Sequence, residues 1–399
     1  MLLNLSIGVL YAWSVINAQL VAPVYAGGWG WTSSQAGLPY TVTIIVFATA
    51  MLFGGRLQDK IGPRRVVMLG SVLAGTGIAL SGLVGNSVIG ITLCFGVIAG
   101  TGMGFAYGSV TPPALKWFHP GKKGMISGLV VAGFGLSAVY YAPLAAALLG
   151  RFGIETTLLI LGAGVLVVSL TVSQFIKNPP PGYIPPLPAN AKQTAAKTTA
   201  AVDFTRTEML KTRRFYMMFV MFLLASSVGL MIIGNITRIA QTQAFITDSA
   251  LLAMLVALLA MTNTLGRVIG GIISDKIGRI KALYMVFIVQ MLNMSAFMFY
   301  QNMLMLIIGI IGVGFCFGTL LSVFPALTAD HYGLKNIGAN YGIMFMAWGL
   351  AGVVAPVIAN YLYDSTGNFH TAYIICAVMM AAMIFVNYFL QKDIAARSN

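Results

Sequence analysis

The sequence predicts an all-α membrane protein with twelve transmembrane helices in two six-helix, pseudo-symmetric halves. Of its 399 residues, 58% are hydrophobic and only 8% are charged, whereas soluble domains carry roughly 25% charged residues. The mean hydropathy is +0.89, so the chain has too little polar surface to face water and belongs in a bilayer. An internal repeat, described below, predicts the two halves.

Each of twelve apolar stretches is close to the ~20 residues that a membrane-spanning helix needs. They cover residues 2–24, 35–56, 66–85, 88–112, 125–149, 155–176, 215–240, 250–273, 282–300, 303–328, 337–362 and 371–390. Between the sixth and seventh lies a segment with six of the fifteen prolines and a basic end, "KTRR", which is typical of a linker. The predicted domains are a bundle at 1–176, a cytoplasmic linker at 177–214 and a bundle at 215–399.

The distribution of Lys and Arg predicts the orientation. If the N-terminus is cytoplasmic, 20 of the 23 basic residues fall in inner loops and ends, and only Arg151 falls in an outer loop. This is the positive-inside pattern, which places both termini in the cytoplasm. The net charge of +14 then reflects topology and an affinity for anionic lipid, not nucleic-acid binding. We expect a monomeric, multi-pass protein of a prokaryotic inner membrane.

The two halves repeat each other. "GRLQDKIGPRR" (55–65) corresponds to "GIISDKIGRIK" (271–281), and "PAL" at 113–115 recurs at 325–327. The offsets of 212 to 216 residues run through matching spans and predict a pseudo-two-fold axis along the membrane normal. Such repeats place a substrate site near the bilayer midplane, between the halves.

The acidic, Cys and His residues argue against an enzyme. All the acidic residues fall at helix ends or in loops: Asp59, Glu155, Asp203, Glu208, Asp248, Asp275, Asp330, Asp364 and Asp393. The three cysteines fall in apolar helices, and the three histidines in loops or at a helix start. Without a carboxylate in mid-span or a cluster with metal-ligand spacing, we expect no catalytic site, no cofactor and no metal.

Arg267 is the one deep charge that the sequence predicts. It lies eight residues before Asp275, or ~12 Å along a helix, which is close to the midplane of a hydrocarbon layer ~30 Å thick. Burying an arginine there costs at least ~2.5 kcal/mol, and its own helix offers no acidic neighbour. A substrate carboxylate would suit the guanidinium, with Asn263 on the same face as a second donor. The alternative is that Arg267 snorkels to the inner surface.

Aromatic residues are candidates for the walls of the same site. Tyr341, Phe345 and Trp348 recur at i, i+4 and i+7 and share a helix face, while Tyr11 and Tyr107 lie at similar depth in the first half. Together with Arg267 they predict a small apolar pocket with a few hydroxyl donors. Ordinary packing is the alternative for each aromatic residue. Arg238, near an outer helix end, is either a gate or a surface anchor.

The repeated segment resembles the inner-loop signature of the major facilitator superfamily. The first copy matches at Gly55, Leu57, Asp59, Lys60, Gly62, Arg64 and Arg65, and the second keeps Gly271, Asp275, Lys276, Gly278 and Arg279. The resemblance covers the whole chain and implies the twelve-helix fold of that superfamily. It also implies that the loops form a cytoplasmic clasp, in which each Asp lies near a helix N-terminus and pairs with cations.

Shorter segments resemble the oxalate/formate antiporter family, which is related to monocarboxylate transporters. They are "YAWSV" (11–15), "AYG" (106–108), "KWFHPGKKGMISG" (116–128), "GFGL" (133–136), "FPA" (324–326) and "NYG" (340–342). The resemblance places Arg267 on the arginine that binds substrate carboxylate, Tyr11 and Tyr107 on cavity tyrosines, and Phe134 in the same set. Oxalate carriers have a lysine where this chain has Trp348.

These observations predict a carrier that works by alternating access. One cation suits a monoanion, so we expect a monocarboxylate such as lactate, pyruvate or acetate, with proton coupling. Asn263 replaces the Asp that animal-type monocarboxylate carriers have, so the proton would travel with the substrate acid. The alternatives are an oxalate/formate-type exchanger, a carrier of sugars or drugs, and a sensor that binds without transporting.

Overall fold

The computed structural model describes residues 1–186 and 203–396, except for the side chains of Tyr11, Ala12, Ser249 and Pro356. Over these residues the secondary structure is helical, without strands, so the all-α prediction is confirmed. Within the described ranges, eleven helical runs are long and apolar enough to cross a membrane. The difference from the predicted twelve has a single cause, which lies in the middle of the first half.

The fifth and sixth predicted spans lie in one helical run that kinks at Gly153, so the two predicted helices are present and follow each other directly. This helix, α8 (Lys123–Ser173), has 51 residues, or about 76 Å at 1.5 Å per residue. That is more than twice the hydrocarbon thickness of ~30 Å, so it can supply two crossings only if it bends. Gly153 is the non-helical residue inside it, with φ 72° and ψ −177°, a conformation that few residues other than glycine adopt.

The remaining helices agree with the predicted spans to within a few residues. In the first half they are α1 (Leu2–Ile7), α2 (Trp13–Val21), α3 (Ser33–Ile61), α4 (Pro63–Leu83), α5 (Val88–Ile91), α6 (Gly100–Gly108) and α7 (Thr111–Trp117). In the second half they are α9 (Arg206–Leu210), α10 (Arg213–Gln243), α11 (Ser249–Ile277), α12 (Arg279–Phe297), α13 (Met303–Tyr332), α14 (Ile337–Thr366) and α15 (His370–Ala395). The short α9 lies inside the predicted linker and begins with a Thr205–Glu208 capping box.

The first and fourth spans are not regular α-helices. A 3₁₀ segment, Gly8–Ala12, joins α1 to α2, and a π-helical segment, Thr92–Ala99, joins α5 to α6. Beside the first segment, the Ser137 hydroxyl lies 2.9 Å from the Gly8 carbonyl oxygen and 2.6 Å from the Phe134 carbonyl oxygen, and it donates its one hydrogen to these two acceptors. Irregular helical turns of this kind often mark functional regions.

Close backbone contacts divide the chain into two compact units. The first unit contains Met1–Trp117, Ala132–Pro185 and Leu334–Gly349, and the second contains Phe118–Val131, Pro186–Gly333 and Leu350–Asn399. The helices α8 and α14 therefore each contribute to both. The three predicted domains, at 1–176, 177–214 and 215–399, remain a prediction.

The internal repeat has a matching backbone conformation at two tight turns. Gly62 connects α3 to α4 with φ 88° and ψ 155°, and Gly278 connects α11 to α12 with φ 90° and ψ 154°. A side chain at either position would be strained, because L-residues avoid this region. The glycines of the two "DKIG" copies are therefore required by the same turn.

Candidate functional site

Arg267 is buried in the second unit and is bound to neutral groups. Its side chain is 1% exposed, its Nε donates to Oδ1 of Asn263 at 3.1 Å, and its Nη1 donates to the Val131 carbonyl at 2.5 Å. A guanidinium has five N–H donors, and these two bonds use two of them. In the part of the chain that the structure describes, no carboxylate forms an ion pair with Arg267.

The exposed fraction of the Arg267 side chain tests the alternative that this arginine snorkels to the inner surface of the membrane. A snorkelling arginine keeps its charged head in water and buries only its stem. Here the guanidinium is enclosed, and Asn263, one turn away on α11, fixes its direction. Solvent therefore does not compensate the positive charge of Arg267 in this conformation.

Two glycines allow the start of α8 to lie against α11. A Cβ added at Gly128 would lie 2.0 Å from the Arg267 carbonyl oxygen, and one added at Gly124 would lie 2.5 Å from the Gly271 carbonyl oxygen. This close approach brings the Val131 carbonyl within reach of Arg267. Sequence reasoning missed the role of this carbonyl, although the four-residue spacing of Gly124 and Gly128 is a known signal of close helix packing.

Asp275 caps the first turn of α8 within the second unit. Its Oδ1 accepts from the Gly124 N–H at 2.8 Å, and its Oδ2 accepts from the Met125 N–H at 2.7 Å. Arg279 Nη1 donates to the same carboxylate at 2.6 Å. The carboxylate thus satisfies two free N–H groups of the helix end, where the helix dipole also favours negative charge.

A second acid extends this cluster. Asp330, on α13, accepts from Lys123 Nζ at 2.8 Å and from Arg279 Nε at 3.0 Å. Because Arg279 contacts both acids, the ends of α8, α11, α12 and α13 are joined by three ion pairs. Neither Lys123 nor Asp330 was among the predicted site residues.

The first unit contains the corresponding arrangement around Asp59. Asp59 Oδ2 accepts from the Ala339 N–H in the first turn of α14 at 2.8 Å, and its Oδ1 accepts from the Gln58 side chain at 2.6 Å. A Cβ at Gly55 would lie 2.0 Å from the Gly338 carbonyl oxygen. Each repeated loop therefore places its Asp on a helix N-terminus and its leading glycine at a close helix contact.

The arginines of the two repeated loops make different contacts. Arg279 pairs with the Asp of its own loop, whereas Arg64, at the start of α4, donates to Gln174 of α8. Arg65, beside Arg64, is exposed. The resemblance implies a clasp of Asp and cations, and the second unit contains that geometry more fully than the first.

Five of the predicted aromatic residues lie together in the first unit. Phe47, which sequence reasoning missed, lies at the centre of the cluster. Its ring centroid is 5.4 to 6.1 Å from those of Tyr107, Phe134, Phe345 and Trp348. Tyr341 contacts the ring of Phe345 at 5.8 Å. The side chain of Tyr11 lies outside the described part of the structure.

Arg238, the other predicted arginine within a helix, makes a surface contact. It is exposed on α10, and its guanidinium carbon lies 5.0 Å from the centroid of the Tyr363 ring on α14. Such exposed cation–π contacts contribute about 0.5–1 kcal/mol. This is the kind of contact that a surface anchor makes.

Comparisons with known proteins agree with this architecture. The model of the Major Facilitator Superfamily matches residues 2–324 and 242–398. The uncharacterized MFS-type transporter YhjX of Escherichia coli is 30% identical over 87% of this chain and 83% of its own length. The oxalate:formate antiporter of Oxalobacter formigenes is 25% identical over 93% and 84%, and monocarboxylate transporter 13 of Rattus norvegicus is 23% identical over 82% and 73%.

A solved structure shows the same fold at low sequence identity. The Major Facilitator Superfamily transporter FucP in its outward conformation superposes with a TM-score of 0.69 and 17% identity, covering 97% of both chains. Among the described residues, no group of three His, Cys, Asp or Glu side chains is placed to hold a metal ion.

Proposed function

Because this chain belongs to the Major Facilitator Superfamily, we propose that it is a secondary active transporter of small monocarboxylates such as lactate, pyruvate or acetate. Arg267 binds the substrate carboxylate, and Asn263 fixes the guanidinium. The oxalate:formate antiporter and the monocarboxylate transporter among its relatives support a small organic anion. We further propose an inner-membrane location with both termini cytoplasmic, in line with the positive-inside pattern.

One observation carries this proposal: a fully buried arginine whose described partners are both neutral. Amide and carbonyl oxygens satisfy donors but do not balance a charge, and an uncompensated buried charge costs several kcal/mol. A carboxylate supplies the missing charge and two acceptor oxygens in a planar geometry that matches the guanidinium. The cargo therefore completes the environment of Arg267.

The same contacts suggest how binding promotes transport. The bond from Arg267 to the Val131 carbonyl ties α8 to α11. A carboxylate is the stronger acceptor because its bonds to a cation are charge-assisted. Substrate binding would draw the guanidinium away from Val131 and neutralise it, which favours a different arrangement of α8 and α11.

The number of positive charges in the binding site distinguishes transport of a monocarboxylate from exchange of oxalate, which is a dianion. Oxalate carriers of the family resemble this chain at Arg267 but have a lysine in place of Trp348. A dianion at this site would keep one unbalanced charge, whereas a monoanion would not. The similarity to the oxalate:formate antiporter over 93% of the chain keeps exchange of such anions as the second candidate function.

Uptake of radiolabelled lactate into proteoliposomes tests the proposal. We expect Arg267→Ala to reduce uptake to background and Arg267→Lys to reduce it at least about tenfold, because lysine lacks the planar pair of donors. Arg151→Ala is the matched control, since Arg151 is an exposed arginine away from the proposed site. Wild-type uptake rates in Arg267→Ala would rule out the assignment of the site.

A further inference from the structure

We propose that the first unit binds an anionic phospholipid of the phosphatidylglycerol type in a cleft between the α3–α4 turn and the residues that follow α8. The cleft has a volume of about 670 Å³. Arg64, Arg65 and Lys177 line it, and its described lining residues include no acid. This site lies within the first unit and does not depend on the cargo proposed for Arg267.

The residues after α8 are held against the first unit. Trp117 Nε1 donates to the Lys177 carbonyl at 2.8 Å. Tyr183 meets the ring of Trp117 edge-on at 5.0 Å, and its hydroxyl donates to the Trp117 carbonyl at 3.3 Å. These contacts hold Lys177 beside the turn that Gly62 makes between α3 and α4. The start of the predicted linker is therefore one wall of a formed cleft.

The positive charges of the cleft have no acidic partner. Arg64 donates to the neutral side chain of Gln174, and neither Arg65 nor Lys177 forms an ion pair within the described part of the chain. In the second copy of the repeat, by contrast, the arginine of the loop is balanced by two acids. Three like charges in one cleft repel each other, so a bound anion would stabilise them.

The start of α4 adds backbone donors to the same cleft. The residue before this 21-residue helix is Gly62, and no side chain caps the helix there. The first N–H groups of a helix have no partner inside it, and the helix dipole favours negative charge at this end. A phosphate oxygen is an acceptor that suits both the free N–H groups and the arginines.

The cleft is cationic on one side and apolar on the other, which favours a lipid over a free phosphate. Met68 lines it together with Ile61 and Pro63. Met68 follows Arg64 by four residues and Arg65 by three, so it lies one helical turn further into the membrane on the same face. Cations would hold the phosphate while the apolar side chains contact the glycerol and acyl groups, as in basic lipid sites at the inner surface of membranes.

Asn178 indicates the kind of headgroup. Its side chain lines the cleft, and its Oδ1 is buried and accepts no hydrogen bond from the residues that the structure describes. Buried acceptors normally have a donor. The glycerol headgroup of phosphatidylglycerol has hydroxyls that can donate to Oδ1, and the lipid keeps its negative charge. Phosphatidylethanolamine also offers a donor, but its ammonium group would add a positive charge beside three others.

Native mass spectrometry of the detergent-purified full-length protein tests the site. The protein is titrated with phosphatidylglycerol, and the dissociation constant of the first bound lipid is measured. We expect the double variant Arg65→Gln/Lys177→Gln to weaken this binding by about tenfold or more, because each cation near an anionic headgroup adds affinity. Its melting temperature without lipid should equal that of the wild type, since both side chains are exposed.

The double variant Lys276→Gln/Lys281→Gln is the matched control. It removes the same number of charges from the corresponding loop of the second copy, where both lysines are exposed, and it should leave the dissociation constant of the first lipid unchanged. Equal weakening by the two double variants would mean that only the overall positive charge attracts the lipid. That result would overturn the proposal, and so would an unchanged dissociation constant in Arg65→Gln/Lys177→Gln.

Competing ligands separate a lipid site from a site for a soluble phosphate. We expect phosphatidylethanolamine to bind the wild type at least about tenfold more weakly than phosphatidylglycerol, because it has no net charge to balance the cations. Soluble glycerol phosphate should not displace the bound lipid. Equal affinity for the two lipids, or displacement of the lipid by glycerol phosphate, would overturn the assignment of an anionic lipid.

The variant Asn178→Ala tests the contact with the headgroup. Phosphatidylethanol is the comparison lipid, since it has the charge of phosphatidylglycerol but no hydroxyl in its headgroup. The wild type should prefer phosphatidylglycerol several-fold, as expected for one hydrogen bond, and Asn178→Ala should bind both lipids equally. A preference that survives in Asn178→Ala would overturn the assignment of the glycerol headgroup.

Discussion

At the scale of single residues, Arg267 carries a positive charge that has no counter-charge among the residues that the structure describes. Arg267 is fully buried, and its described partners are an amide and a backbone carbonyl. Such a group does not add to stability, because replacing buried ionic groups with apolar ones is often neutral or stabilising. A binding role explains why the charge is present.

Substitutions at Trp348 test whether the side chain at this position selects monoanions over dianions. Because the oxalate carriers that this chain resembles have a lysine at this position, we expect Trp348→Lys to gain oxalate binding and to lose affinity for lactate. Trp348→Met is the matched control, since methionine has a similar length to lysine and no charge. The measurement is oxalate protection in a thermal-shift titration. Equal responses of the two variants would show that bulk, not charge, limits the site.

At the scale of elements, the contact between α8 and α11 sets the position of Arg267. At Gly128 the backbone of α8 lies directly against the backbone of α11 at Arg267. We expect Gly128→Ala to separate the helices, because its Cβ would meet the Arg267 backbone at 2.0 Å, and backbone cannot move aside cheaply. Hydrogen–deuterium exchange of residues 123–131 should become faster, and lactate uptake should fall.

Gly150 is the control for this helix. A Cβ at Gly150 meets nothing within 4 Å, so Gly150→Ala should leave exchange at 123–131 unchanged and favour the helix by roughly 0.5–1 kcal/mol. If both alanine variants leave exchange at 123–131 unchanged, the close approach at Gly128 does not control the position of α8.

The elements also show what the sequence can and cannot predict. Apolar runs of about twenty residues predicted the spans, because hydropathy and length alone decide which segments enter a bilayer. They also predicted the break between the fifth and sixth spans, which lies at Gly153, but not the 3₁₀ segment at Gly8–Ala12 or the π-helical segment at Thr92–Ala99. These depend on shifts of the backbone hydrogen-bond register, which composition does not encode.

The sequence identified candidate residues of the site, but it did not predict the contacts that these residues make. Arg267 stood out because no acidic residue lies near it on its helix, and Trp348 because a related family has lysine there. The Val131 carbonyl carries no side-chain signal, so its bond to Arg267 appears only in three dimensions.

At the scale of the whole molecule, the placement of acids predicts how protons are coupled. The described partners of Arg267 include no carboxylate, so we expect the proton to move with the substrate acid and transport to be electroneutral. An inward proton gradient imposed on proteoliposomes should increase lactate uptake several-fold, while a potassium–valinomycin potential should leave it unchanged. Uptake that requires a preloaded counter-anion and ignores the gradient would indicate an exchanger.

Neutral substrate analogues test whether Arg267 recognises a single negative charge. Lactamide has nearly the shape of lactate without its charge. Dissociation constants of both should be measured for the wild type and for Arg267→Gln. We predict that the wild type prefers lactate by at least about 100-fold, as expected for a bidentate charge-assisted pair, and that Arg267→Gln loses most of this preference. A preference for lactate that survives in Arg267→Gln would show that Arg267 does not recognise the negative charge of the substrate.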